Sequence, residues 1–193
     1  DFVRVRVRGL PPRASEMQFI GSDLVLAAQK RQVVRFGDEP LVVGLDISRG
    51  GEDNTVFRFR RGMDARSIEP IRLSGEKSRD SMNVVTQAAR VLAEYPVTTM
   101  FIDGTGIGGP ICDRLRQLGH RNVIEVQFGG ESPDLKCFNM RAHIWNKLRD
   151  WLKIGAIDTS AVLEMDLTGP GYSHKGPLDK LLLESKESMK ARG

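Results

Sequence analysis

The sequence has few of the residues that mark several large classes of protein. Only two of its 193 residues are cysteines, Cys112 and Cys137, and they lack the spacing of a disulfide framework or of a thiolate zinc site. The three histidines, His120, His143 and His174, also lack a metal-binding spacing, and we assign them no chemistry. No apolar run approaches the ~20 residues needed to span a bilayer, and no signal peptide opens the chain. These absences predict a cytoplasmic protein in a reducing setting, without a membrane partner.

The charge and apolar content set further limits. Lys and Arg number 29 against 25 Asp and Glu, which gives a formal charge of +4. Such a balance is compatible with a polyanionic partner but does not require one. The apolar content of 40% is ample for one buried core. We therefore expect a folded globular domain.

Two parts can be distinguished along the chain, residues 1–39 and residues 40–193. The first part alternates Val and Arg up to Pro11 and Pro12, which predicts a linker, and then carries a short helix with Ser22 as its N-cap. The second part is the predicted main domain. Because the chain starts at Asp1 and stops inside a helix-like segment, we interpret it as a piece of something longer, truncated at its C-terminus.

Hydrophobic periodicity predicts a mixed α/β fold for the main domain. The first strand is a continuous apolar run, which is typical of a central strand buried on both faces. Short turns then predict an antiparallel meander, and a later strand-helix-strand unit predicts parallel pairing. The predicted strands cover residues 41–47, 56–60, 67–73, 98–103, 123–128 and 180–184, and the predicted helices cover residues 81–95, 111–118, 142–152 and 160–167. This order describes a ribonuclease H-like sheet of five or more strands flanked by helices.

Two of the predicted strands carry a single acid at or near their C-terminal ends. Asp46 stands in Leu45-Asp46-Ile47, and Asp103 ends Phe101-Ile102-Asp103. A buried carboxylate is costly unless it has a partner, a shifted pKa or a cation beside it. Mg²⁺ and Mn²⁺ favour carboxylate ligands, so two such acids on adjacent strands predict a metal site. The competing interpretation is that each acid only caps the following turn.

A polar hairpin, Ser48 to Thr55, follows Asp46 and offers a secondary metal ligand in Asp53. Gly-Gly-Glu-Asp-Asn is also a good turn sequence, which is the simpler explanation. Arginines near the site would suit a phosphate backbone, although solvated surface charge explains them equally well. They are Arg49, Arg58, Arg60 and Arg61.

Two other functions compete. Gly104, Gly106 and Gly109 satisfy the G-x-G-x-x-G pattern of a dinucleotide-binding module, with Glu125 at the distance of a ribose contact. Against this, Asp103 directly precedes the first glycine and would repel a pyrophosphate. An actin-like or sugar-kinase-like phosphotransfer fold is the second alternative, but that family needs two duplicated domains around the nucleotide.

Four segments, in order, resemble the nuclease domain of phage large terminase subunits, and the similarity covers nearly the whole chain. They are Phe2-Val-Arg-Val-Arg-Val-Arg-Gly with Pro12-Arg-Ala-Ser, Gly44-Leu-Asp-Ile-Ser-Arg-Gly-Gly-Glu-Asp-Asn-Thr, Phe101-Ile-Asp-Gly-Thr-Gly-Ile-Gly, and Leu182-Leu-Glu-Ser-Lys-Glu-Ser-Met-Lys-Ala-Arg-Gly. The resemblance implies a ribonuclease H-like endonuclease that cuts concatemeric viral DNA with low sequence preference, using two Mg²⁺ or Mn²⁺ ions in the host cytoplasm.

The resemblance also implies roles and partners. Asp46 and Asp103 match two of the three catalytic acids, with Asp46 bridging two ions and Asp103 holding one. The third acid is expected beyond Gly193. Residues 1–39 would lead in from an ATPase domain, and no G-x-x-x-x-G-K-[ST] motif for that motor occurs in this chain. The implied partners are double-stranded DNA, the ATPase domain, the small terminase subunit and the portal.

Overall fold

The computed structural model describes residues 18–48 and 50–192. The Val-Arg segment predicted as a linker and Arg49 lie outside these residues. The chain divides into two compact units. One contains the residues up to Gln32 together with those from Gly129 onward, and the other is Val33–Phe128. The predicted division of the chain after residue 39 stays a prediction.

The helices and strands of the described residues are numbered in chain order. The first half contains α1 (Ser22–Lys30), β1 (Leu41–Asp46), β2 (Thr55–Arg61), β3 (Asp64–Ala65), β4 (Ile71–Leu73), α2 (Gly75–Ser78), α3 (Ser81–Glu94) and β5 (Val97–Asp103). The second half contains α4 (Gly108–Gln117), β6 (Val123–Val126), α5 (Met140–Leu152), β7 (Ala156–Ile157), α6 (Ala161–Thr168), β8 (Tyr172–Lys175), β9 (Lys180–Leu183) and α7 (Lys186–Arg192). Within residues 18–48 and 50–192, no helix has the length and apolar character needed to cross a membrane.

The Val33–Phe128 unit is built on a mixed sheet. Its strands lie in the order β6, β5, β1, β2 and β3, with β4 also paired to β2. β1 pairs antiparallel with β2 and parallel with β5, and β5 pairs parallel with β6. The predicted meander and the predicted parallel unit are therefore both confirmed, and β1 lies where they meet.

One face of this sheet forms the core together with α3 and α4. Alternate side chains of the strands are buried there, including Leu45, Phe57 and Ile102. The helices contribute the residues at helical spacing that periodicity predicts, among them Val84, Val91 and Leu115. Complete removal of one such side chain from water stabilises the fold by about 1.5–3 kcal/mol.

The second unit contains α1, α5, β7, α6, the β8–β9 hairpin and α7. Arg31, just after α1, donates to the carbonyl of Leu152 over 2.9 Å and also to that of Gly155, which ties α1 to the end of α5. Gln29 donates to the Ser160 carbonyl at the start of α6 over 2.9 Å. Phe19 packs edge-on against Tyr172 of β8, with ring centroids 5.8 Å apart.

Several sequence-based predictions of local structure need correction. The N-cap of α1 is Gly21 rather than Ser22, because the Gly21 carbonyl already accepts from the amides of Leu24 and Val25. The strand predicted over 67–73 is only β4, since the amides of Arg66 and Ser67 bond the Asp64 carboxylate in a turn. β8 was missed, because its residues stand in a Gly- and Pro-rich segment that predicts a turn.

Candidate metal centre

The two acids predicted from the sequence lie at the ends of neighbouring parallel strands. Leu45 pairs with Ile102 and Gly44 with Phe101, so the next positions along β1 and β5 are Asp46 and Asp103. Adjacent strands lie about 4.8 Å apart. The register therefore brings the backbones of the two acids side by side at the C-terminal edge of the sheet.

Both acids are on the sheet face opposite the core. Leu45 and Ile102 are buried at 2% and 0% exposure, and side chains alternate along a strand, so Asp46 and Asp103 point away from the core cluster. Asp46 is exposed and Asp103 is half-buried. The prediction that β1 is buried on both faces is thus wrong, because Gly44 and Asp46 are exposed on the second face. The two carboxylates are accessible to ions and to a large substrate.

The glycine-rich turn after β5 fixes Asp103. Its carboxylate accepts a hydrogen bond from the Thr105 amide over 3.0 Å, which closes a tight turn. Gly106 follows with a positive φ of 75°. A Cβ on Gly108, the first residue of α4, would lie only 1.8 Å from the Asp103 carbonyl oxygen. The helix start therefore packs directly against the residue that bears the carboxylate.

The hairpin between β1 and β2 holds Asp53 in a defined loop. Ser48 organises this loop, because its amide donates to Thr55 Oγ1 over 3.0 Å and its hydroxyl to the Asp53 carbonyl over 2.8 Å. Gly75 packs so closely on the loop that a Cβ there would lie 2.2 Å from the Gly51 carbonyl oxygen. The Asp53 side chain is exposed. Its role as a metal ligand stays a prediction.

Two of the predicted arginines share the face of the acids. Asp46 pairs with Val56, Gly44 with Arg58 and Val42 with Arg60, so Arg58 and Arg60 lie about 7 Å and about 13 Å along β2 from the position opposite Asp46. Arg58 is half-buried and donates to the Ala65 carbonyl over 3.0 Å. Arg61 alternates onto the core face. The accessible face thus combines two carboxylates with two cations.

Glu125 packs against the glycine-rich turn that the dinucleotide alternative assigns to a pyrophosphate. A Cβ on Gly104 would lie 2.4 Å from Glu125 Oε1, and one on Gly109 would lie 3.2 Å from the same atom. The side chain of Gln127 donates to this oxygen. A carboxylate beside the glycine turn opposes a pyrophosphate, which is itself an anion. The dinucleotide alternative is not favoured.

Solved structures with the same fold include nuclease domains of phage large terminase subunits. A variant of that domain from gp2 of bacterial virus Sf6, solved with manganese and beta-thujaplicinol, matches with a TM-score of 0.65 and 17% identity over 91% of each chain. The large terminase nuclease of thermophilic phage G20c, with bound magnesium, matches with a TM-score of 0.57 and 14% identity over 81% of this chain and 80% of that one. A Thermus phage terminase nuclease domain matches with a TM-score of 0.54 and 12% identity over 77% and 71%.

No model of a protein family matches the sequence, and no curated protein does either. The likeness to solved structures establishes the fold. This chain has the mixed α/β, ribonuclease H-like architecture, as predicted from its order of strands and helices. The resemblance to the nuclease domains of phage large terminases is also confirmed at the level of structure. Neither of the two alternative folds is favoured.

Proposed function

We propose that this chain is the nuclease domain of a phage large terminase and hydrolyses phosphodiester bonds in double-stranded DNA with Mg²⁺ or Mn²⁺. The observation that carries the proposal is the register of β1 and β5, which sets Asp46 beside Asp103 at the accessible edge of the sheet. The shared fold with terminase nuclease domains that bind manganese or magnesium supports it.

The residues present fit a divalent ion. Asp46 and Asp103 offer hard oxygen donors on one face, and Mg²⁺ commonly takes one or two carboxylates while keeping several waters. Neither acid is in the core, so water and phosphate oxygens can complete a coordination shell. When bound, a pair of ions would supply an activated water and stabilise the leaving oxygen. Asp53 is a further ligand expected from the sequence, and the resemblance implies a third acid.

The chain's own residues orient the reaction. The Thr105 amide holds one oxygen of Asp103, which limits rotation of that carboxylate. Arg58 and Arg60, on the same face, would bind backbone phosphates and place the duplex along β2. These contacts read charge and spacing rather than base edges. We therefore expect low sequence preference and affinity that falls steeply with salt.

The test is metal-dependent cutting of supercoiled plasmid by this chain. Asp46→Asn and Asp103→Asn keep the size of each side chain and remove the charge, so each is expected to abolish cutting. Asp113→Asn is the matched control, because Asp113 is an exposed acid on α4 that pairs with Arg116 at 3.4 Å. It is expected to cut normally.

Cutting that survives Asp46→Asn would overturn the assignment. Loss of cutting in Asp113→Asn as well would mean that general loss of negative charge, rather than the site, limits activity.

The wider role follows from the same proposal. The domain would cut concatemers in the host cytoplasm during genome packaging, together with the terminase ATPase domain, the small terminase subunit and the portal.

A further inference from the structure

A second group of metal-ligating side chains lies far along the sequence from the two strand-end acids. Three side chains, those of Asp134, Cys137 and His143, each offer one ligand atom, and these three atoms lie within 4.8 Å of one another. All three belong to the unit that begins again at Gly129. This group could not be predicted from the sequence, because Asp-x-x-Cys followed after five residues by His is not a familiar metal-binding spacing. The fold of the loop brings the three side chains together.

The loop that carries Asp134 and Cys137 is fixed by backbone hydrogen bonds. The Cys137 amide donates to the Asp134 carbonyl over 3.0 Å, and the Phe138 amide donates to the Leu181 carbonyl of β9 over 2.8 Å. The Leu181 amide returns to the Lys136 carbonyl over 2.8 Å. One carboxylate oxygen of Asp134 accepts from the Lys136 amide over 2.9 Å. The backbone that carries both side chains is therefore held in place before any ligand binds.

His143 is placed by the first turn of α5. Asn139 caps this helix by accepting from the Ala142 amide over 2.9 Å, and the His143 amide bonds the Asn139 carbonyl over 3.1 Å. The Nδ1 atom of His143 is buried and has no hydrogen-bond partner within the described residues. A buried polar atom without a partner is costly, and a bound cation is one partner that an imidazole nitrogen can take.

We propose that Asp134, Cys137 and His143 bind one zinc ion, which ties the loop before α5 to the start of that helix. The donor set is an imidazole, a thiolate and a carboxylate, which are the three ligand types that Zn²⁺ takes in proteins. Ligand atoms on one tetrahedral zinc lie about 3.5 Å apart. Side-chain rotations that move the three ligand atoms by under about 2 Å would therefore bring them to the distances that zinc requires. Thiolate and carboxylate together match the charge of Zn²⁺.

The same three residue types could instead form a nucleophilic site, but burial argues against it. Cys137 is only 1% exposed. A nucleophilic cysteine needs access to its substrate, and the Cys137 sulfur is too deeply buried to have it. Asp134 and His143 are half-buried, so an ion can enter beside them and a water can take a fourth position.

The experiment uses Co²⁺ as a spectroscopic probe on chelator-treated, reduced protein. A thiolate ligand gives Co²⁺ a sulfur-to-metal charge-transfer band that carboxylates cannot give. We expect one Co²⁺ per chain with this band, displacement of the band by Zn²⁺, and no displacement by Mg²⁺. Cys137→Ser should remove the band, and His143→Gln should weaken Zn²⁺ binding by more than about 100-fold, the upper end of losses caused by changes around the ligands.

The chain offers two matched controls. Cys112→Ser removes the other free cysteine, which is buried in α4, and should leave the band intact. The double variant Asp46→Asn with Asp103→Asn removes the strand-end acids and should also leave it intact, which separates this proposal from the proposed nuclease function. His143→Gln changes a half-buried residue, so it gives a readout even if Cys137→Ser fails to fold.

Absence of the band in the unaltered chain would overturn the proposal. A band that persists in Cys137→Ser and disappears in Cys112→Ser would overturn it as well, because the thiolate would then be the wrong one. Unchanged Zn²⁺ affinity in folded His143→Gln would contradict the assigned ligand set.

Discussion

Substitution of Gly108 by alanine should displace the carboxylate of Asp103 without removing it. The new Cβ would lie 1.8 Å from the Asp103 carbonyl oxygen, and real Cβ contacts are essentially never shorter than 3.0 Å. The helix start and the strand end must therefore separate by about 1.2 Å, the difference between those two distances. A misplacement of about 1 Å at a catalytic group can lower a rate by about 100-fold.

We expect Gly108→Ala to lower the rate of Mn²⁺-dependent plasmid cutting by about 100-fold. Overpacking of this kind also lowers the free energy of unfolding, by about 1–3 kcal/mol. Urea denaturation followed by circular dichroism measures the second effect, and cutting is assayed where the variant remains folded.

Gly109→Ala is the matched control one residue later in α4. The nearest atom to its Cβ would be Glu125 Oε1 at 3.2 Å, the end of a flexible side chain. Alanine is the better helix former by about 1 kcal/mol, so this variant should fold and cut normally. Equal cutting rates for the two variants would refute the claim that close packing of Gly108 positions Asp103.

Two further predictions concern stability and DNA binding. Burial opposes ionisation of Asp64, but the amides of Arg66 and Ser67, the Ser67 side chain and the Arg35 guanidinium outweigh it and lower its pKa from 3.8 to about 2. A lowered carboxyl pKa stabilises the fold above the unfolded value and loses that effect as pH falls from about 4 to about 2. Asp64→Asn should thus lower the free energy of unfolding at pH 7 by about 2 kcal/mol, and that free energy should then fall less steeply between about pH 4 and about pH 2. An unchanged pH dependence in this range would contradict the prediction. Arg58→Ala should weaken binding to duplexes of any sequence and reduce the salt slope of log K by about 1, whereas Arg114→Ala on α4 should not. If the unaltered chain, Arg58→Ala and Arg114→Ala all had the same salt slope, Arg58 would not be a DNA contact.

The positions of the two acids could be predicted because they depend on local pattern. An apolar run that ends in one acid marks a strand end, and Asp46 and Asp103 both meet this description. Their proximity required the parallel pairing of β1 with β5, two strands separated along the chain by β2 to β4 and the helices α2 and α3. The exposure of Asp46 could not be predicted, because a continuous apolar run does not tell which face is covered.

Features that depend on long-range contacts were missed. Tyr172 to Lys175 form β8 only because Leu183 and its neighbours pair with them, while their own sequence predicts a turn. The grouping of Cys137 with His143 depends on the path of the loop before α5, and a spacing rule cannot foresee it. The packing of Glu125 over Gly104 is a tertiary contact of the same kind, and it changes the interpretation of a glycine motif.

The most direct test of the central claim is anomalous diffraction from crystals of this chain soaked in Mn²⁺. We expect anomalous density between the carboxylates of Asp46 and Asp103, and its loss in Asp46→Asn crystals grown and soaked in the same way. Absence of density in the unaltered chain would make the two acids structural and contradict the assignment as a metal-dependent nuclease.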